Sequence, residues 1–172
     1  RRVNDLLTAA MNQMPDGWQA AEQQLEELLH QYPGCTALQY NAVASYDALA
    51  MFFPAAGEEA RTHWRARKRQ LLEEVRESGN AAYWQTATIG LAMLEITDGD
   101  AETGAALLRQ LPQRVGDLTG TWARYYLKTG QPGKALETTQ KQLYKLISQA
   151  QSLLATMMDP KLLPEPERRR AV

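Results

Sequence analysis

YYLKTGQPGKALE, residues 125 to 137, sets two tyrosines and a leucine ahead of Gly130 and returns to a small residue, Ala135, five positions beyond it. Helix, two or three turn residues and helix again is the plan of an αα-hairpin, and antiparallel helices that lie close together need small side chains where they cross. Gly130 permits the turn, and Ala135 permits the contact.

Outward from this stretch the same grammar repeats. Apolar residues recur at spacings of three and four along nearly the whole chain, strand-like alternation is absent, and Gly or Pro punctuates about once per helix. The spacing predicts eight helices. The first runs over 2–14 and stops at Pro15-Asp16-Gly17; the second covers 18–32, with Ala21, Leu25, Leu28 and Leu29 on one face, and ends at Pro33-Gly34. Thr36 can cap the third, which reaches Phe53 with Leu38, Ala42, Ser45, Tyr46, Leu49 and Phe53 on its inner stripe. After Pro54-Ala55-Ala56-Gly57, Glu58 and Glu59 suit the positive end of a fourth helix reaching Ser78, whose seam is Trp64, Leu71, Leu72 and Val75. Asn80 caps a fifth over 81–96, Gly99 precedes a sixth over 101–111, and a seventh over 117–128 ends at Gly130. The eighth and longest spans 132–158 with Pro132 in its first turn, and Pro160, Pro164 and Pro166 keep a tail over 159–172 extended. The domain is therefore expected over 1–158.

At 172 residues such a chain buries about 68–70% of its unfolded surface and needs no staple. The single Cys35 cannot close an intrachain disulfide, which makes a reducing cytosol the default compartment, and a lone cysteine of this kind is ordinarily a small buried hydrophobe. With 19 Lys and Arg against 20 Asp and Glu, the net charge of −1 gives no field to hold phosphate backbones. No run approaches the roughly 18 apolar residues of a membrane span. The basic start RRVNDLL is not followed by a signal-peptide core, and the opening on Arg1 suggests a fragment or trimmed product.

The stretch from Tyr126 through Gly130 to Ala135 resembles the tetratricopeptide hairpin, in which a tyrosine precedes the turn glycine by four and an alanine follows it by five. Residues 15–33 resemble its second helix, and 97–105 its turn, with Gly104 in place of the alanine; residues 54–80 fit no repeat. A second resemblance spans nearly the whole chain. WQAAEQQLEELLHQYPG, the irregular helical middle and YYLKTGQPGKALETTQKQLYKLISQAQSLL are similar to the C-terminal helical region of bacterial XRE-type helix-turn-helix transcriptional regulators. That resemblance implies a tetratricopeptide-like sensor or oligomerisation part, with DNA read by a domain absent from this chain. The expected fold is thus all-α, a tetratricopeptide-like superhelix of αα-hairpins, with a non-repeating helical bundle as the alternative.

Stacked hairpins line a concave face with their first helices, and extended peptides bind such faces. The side chains expected there are Tyr40, Asn41, Tyr46, Tyr83, Trp84, Trp122 and Tyr125, since asparagine meets a peptide backbone with donor and acceptor and aromatics supply area at small entropic cost. Interhelix packing is the competing use of the same aromatics. On the last helix, Leu143, Ile147, Ala150, Leu154 and Met157 make one stripe and Leu146 and Leu153 a second beside it. One stripe satisfies an intrachain neighbour, and two leave apolar surface that a homodimer would bury.

Chemistry is sparse. His30 and His63 are the only histidines; Glu27 and His30 share the Glu-x-x-His spacing of di-iron bundles, but a second such pair is missing, and His30 with Cys35 supplies two of the four ligands of a structural zinc. G-x-S-x-G, the P-loop and G-x-G-x-x-G do not occur. No cofactor or metal is expected, and no catalysis. RTHWRARKR, residues 61–69, is the one concentrated basic run, and Trp64 in it could stack on a base of single-stranded nucleic acid. Helical spacing instead puts Arg61, Arg65 and Arg69 on an outward row, followed by Glu73, Glu74 and Glu77, so charge pairs along the helix are expected. The function expected is binding, as the dimerisation or effector-sensing part of a transcriptional regulator; the alternative is a free-standing adaptor.

Overall fold

The computed structural model describes residues 17–112 and 117–157, and every regular element among them is helical. The chain is all-α. The described α-helices are α1 (Gly17–Gln31), α2 (Thr36–Phe52), α3 (Gly57–Glu77), α4 (Ala81–Asp98), α5 (Ala101–Arg109), α6 (Thr119–Lys128) and α7 (Pro132–Met157), with one 3-10 turn over Pro54–Ala56. Their ends fall within about two residues of the Pro and Gly punctuation. The helix expected over 2–14, the tail over 159–172 and the basic termini lie outside the described residues.

The chain divides into two compact units, α1 to α5 and α6 to α7. In the first, α2 packs on α3, α3 on α4 and α4 on α5, while α2 also touches α4, so neighbours in sequence are neighbours in space. The core follows the predicted stripes. Ala42, Tyr46, Leu49 and Phe53 of α2 meet Trp64, Leu71, Leu72 and Val75 of α3, with Leu25 and Leu29 of α1 closing one side and Ala87 and Leu91 of α4 the other. Two buried hydroxyls sit among them at no cost in unmet bonds, because Ser45 donates to the Asn41 carbonyl and Thr88 to the Trp84 carbonyl one turn back. Trp18 meets Trp64 edge to face with ring centres 5.4 Å apart, which anchors α1 onto α3.

Helix starts divide into those with a side-chain cap and those without. Asn80 accepts the Ala82 amide, as expected. Asp100, which the sequence reading passed over in favour of Gly99, accepts the amides of Glu102 and Thr103 and so starts α5. Thr36 does not cap α2: Cys35 occupies that position without a side-chain bond, because the turn is closed by the backbone alone, Cys35 N–H to the Tyr32 carbonyl and Gln39 N–H to the Cys35 carbonyl. Cys35 is consequently exposed, against the expectation that it is buried.

The second unit answers the question posed by residues 125–137. Gly130 has φ 71°, where a Cβ would be strained. Its N–H bonds to the Leu127 carbonyl and that of Gln131 to the Tyr126 carbonyl, the paired bonds that end a helix and reverse the chain. Five residues on, Ala135 is buried beside α6. The first unit repeats this device: Gly104, five residues after Gly99, is buried, and a Cβ there would lie 2.7 Å from the Ala92 carbonyl oxygen of α4. The glycine that replaces alanine in the hairpin pattern allows an even closer crossing.

Candidate interaction surfaces

The apolar positions of α7 separate into two populations. Near the turn, Ala135 is buried and Thr138 half-buried against α6, and Gln142 donates to Asp117 at the start of α6. Beyond that bond α6 has ended. α6 is about 15 Å long and α7 about 39 Å, so the distal part of α7 outruns its hairpin partner by roughly 24 Å. Every described side chain from 143 to 155 is exposed, among them Leu143, Leu146, Ile147, Leu153 and Leu154, which are 45–63% accessible. Ala150 is exposed with them, and Met157 closes the helix. Leu143, Ile147, Ala150 and Leu154 of the first stripe and Leu146 and Leu153 of the second are all exposed, where one stripe was expected to satisfy an intrachain neighbour.

The expected peptide-binding residues fall in both units. In the first, the half-buried Tyr40 and Tyr83 bring their rings to 5.4 Å across α2 and α4, with Asn41 exposed beside them. Trp84 is half-buried on α4. Tyr46 is 1% exposed, and its hydroxyl donates to Glu26, so it packs the core and offers nothing to solvent. In the second unit Trp122 and Tyr125 stand edge to face, Tyr126 closes the cluster, and the Lys134 ammonium lies 5.8 Å from the Tyr126 ring centre. Tyr125 is buried.

The basic run pairs along its own helix only in part: Glu58 binds both Arg61 and Arg65, and Glu74 lies 3.9 Å from Arg67. Its other contacts reach neighbouring helices: Arg67 grips Glu26 of α1 through two bonds of 2.8 Å, Lys68 meets Asp47 of α2, and Arg69 meets Glu95 of α4. The reason is position. α3 lies in the middle of its unit, so its flanks face neighbours whose carboxylates are nearer than Glu73 or Glu77. Burial opposes ionisation of Glu26, but the Arg67 and Tyr46 hydrogen bonds outweigh it and hold its carboxyl below the usual range. The same burial, with Glu26 alongside, pushes the Tyr46 phenol far up.

A cleft of about 370 Å³ opens beside this network, lined by Glu26, Leu29, His30, Gln39, Arg67, Gln70, Leu71 and Glu74 among others. Its polar groups already serve one another: Gln39 and Gln70 both donate to Glu74, and Arg67 holds Glu26. Glu27 accepts from Gln23, and His30 faces the cleft from its rim. His63 lies 2.9 Å from Glu22, an attraction that exists only when the imidazole is protonated and that lacks the alignment of a hydrogen bond. Among the described residues no group of three or more His, Cys, Asp or Glu is placed to hold a metal ion, and no helix is long and apolar enough to cross a membrane.

No protein-family model, no curated protein and no solved structure matches this sequence.

Proposed function

We propose that the chain works by binding and not by catalysis, as a tetratricopeptide-like domain that dimerises through α7 and forms the sensing part of a transcriptional regulator whose DNA-reading domain is not among these residues. The observation that carries self-association is the distal half of α7, where five large aliphatic side chains lie on one side of a helix that has outrun α6, its hairpin partner. The hairpin reading is supported by the turn at Gly130 and by the small residues five positions beyond Gly99 and Gly130. The chain-order packing of α2 to α5 is what a stack of hairpins makes. The regulator assignment comes from the sequence resemblance.

In this reading a peptide settles over Tyr40, Asn41 and Tyr83, and its preference for one stacking of the helices shifts the population of dimer arrangements. The test is the mass of the full chain by light scattering over a range of concentration. Wild type is expected at twice the chain mass, and Leu146→Glu with Leu153→Glu at once the chain mass, with unchanged helical content because neither side chain is buried. A wild-type monomer at high concentration refutes self-association.

A further inference from the structure

The leucine, isoleucine and methionine positions on the overhanging part of α7 are symmetric about one residue, with Tyr144 and Ala155 outside the pattern. Counted from Ala150 they stand at −7, −4 and −3 (Leu143, Leu146, Ile147) and at +3, +4 and +7 (Leu153, Leu154, Met157). Such a pattern is its own complement when the helix is reversed. We infer that two copies of the chain pair antiparallel along this segment, with the two-fold axis at Ala150, which sets Leu146 of each copy level with Leu154 of the other. The inference rests on the self-association proposed above and adds its direction and register.

At a helix crossing the closest approach falls on the smallest side chains, and Ala150 meets Ala150 there with leucines on both sides, in a parallel pair in register as in an antiparallel one. Two other features of the segment favour the antiparallel pairing. The first is charge. Lys141 precedes the overhang and Lys145 lies near its start, whereas residues 146–157 carry no charge at all. Parallel chains in register would set Lys141 beside Lys141 and Lys145 beside Lys145, while antiparallel chains place Lys145 level with Ala155. Antiparallel helices also oppose their dipoles, where parallel ones align them. The arrangement leaves the two α6–α7 hairpins at opposite ends of the shared rod, their Gly130 turns roughly 60 Å apart at 1.5 Å per residue. A second copy is favoured as the occupant because a chain segment or an unrelated protein has no reason to match the symmetry about Ala150.

Cysteine cross-linking reads the register directly. In the full chain with Cys35→Ser as background, Ala150→Cys, Leu146→Cys and Leu154→Cys are each made singly, and the last two are also mixed. A disulfide needs Cα atoms within about 7 Å, and eight residues of helix separate equivalent cysteines by about 12 Å in the antiparallel pair. Expected under oxidation are a dimer band from Ala150→Cys alone, a dimer band from the mixture, and none from Leu146→Cys or Leu154→Cys alone. Dimer bands from Leu146→Cys alone, with none added by mixing, mean a parallel pair and overturn the inference while leaving self-association intact. Absence of any band with a dimeric mass overturns the register at Ala150. A monomeric mass, with α7 covered by another part of the chain or by nothing, removes both.

Discussion

Replacing Gly104 by alanine sets two effects against each other, and the structure decides between them. Alanine is favoured over glycine in a helix interior by about 1 kcal/mol, and the hairpin pattern itself asks for alanine five residues past the turn glycine. Against this, the added Cβ would lie 2.7 Å from the Ala92 carbonyl oxygen, 2.7 Å from Ile96 Cγ1 and 3.1 Å from the Ile96 backbone nitrogen. Two of those three atoms are backbone of α4 and cannot swing aside, so α5 must move away. Overpacking of this kind costs about 1–3 kcal/mol, and with rigid neighbours the upper part of that range applies, leaving Gly104→Ala about 1–2 kcal/mol less stable. For a unit of this size the melting temperature should fall by roughly 5–15 °C. Gly133→Ala is the control: it is an exposed position in the first turn of α7 with nothing within 4 Å, and should stabilise its hairpin by about 0.4–1 kcal/mol. Thermal unfolding by circular dichroism reads the total, and hydrogen exchange of α4–α5 and of α6–α7 reads each unit by itself. If Gly104→Ala protects α4–α5 as much as Gly133→Ala protects α6–α7, the crossing is not backbone on backbone and the reading of the small residue is wrong.

Tyr46→Phe removes one hydrogen bond to an ionised carboxylate but leaves Glu26 with both Arg67 bonds, so a loss of about 1–2 kcal/mol is expected in urea unfolding, with no change in the oligomeric mass. A loss above about 4 kcal/mol would mean that Glu26 depends on Tyr46 far more than these bonds imply. Stability should also fall at both ends of the pH scale. Glu26, Glu95, Asp100 and Asp117 are held below their unfolded values, so their contribution is present above about pH 5 and is lost as pH drops through the acid range; Tyr46 is raised, so its contribution is whole below about pH 10 and is lost above it. Urea midpoints from pH 2 to 11 check both limbs, and in Tyr46→Phe the alkaline limb should shrink. Gly130→Ala forces a Cβ into the left-handed region, at a cost of about 1 kcal/mol in the melting of the α6–α7 hairpin. An unchanged melting temperature would contradict the reversed turn described for that stretch.

The ends of the helices and their inward faces were legible in the sequence because both are local. Pro, Gly and Asn act within a few residues, and the seam Trp64, Leu71, Leu72, Val75 was readable from spacing alone even though 54–80 matched no repeat. That segment forms α3, the central helix of its unit. What local patterns do not carry is which helix faces which. Arg67 and Glu26 are 41 residues apart and Arg69 and Glu95 are 26 apart, and nothing in the spacing of RTHWRARKR chooses them over Glu73 or Glu77. The tyrosines show the same limit: periodicity puts Tyr46 on an inward stripe, but only the neighbouring α1 reveals that its hydroxyl is taken by Glu26. The close approach at Gly104 was hidden for a different reason, since a glycine in a helix reads as a weak position until the opposing backbone is in place.

For α7 the gain and the cost of association overlap. About half of each of five aliphatic side chains remains in water on the overhang, and at about 1.5–3 kcal/mol for a whole side chain their burial gives roughly 4–8 kcal/mol per copy, twice that for a pair. Lost translational and rotational freedom costs an estimated 4–15 kcal/mol, a range that spans nearly the same values, so buried area alone does not decide the pair. A balance that near to zero is decided by packing detail, which is where Ala150 matters. A larger residue at the crossing would hold the two helices apart and forfeit contact along the whole stripe, whereas alanine lets the flanking leucines interdigitate. The same small-residue device that closes each hairpin within the chain is then available, exposed and uncharged, to close a contact between chains.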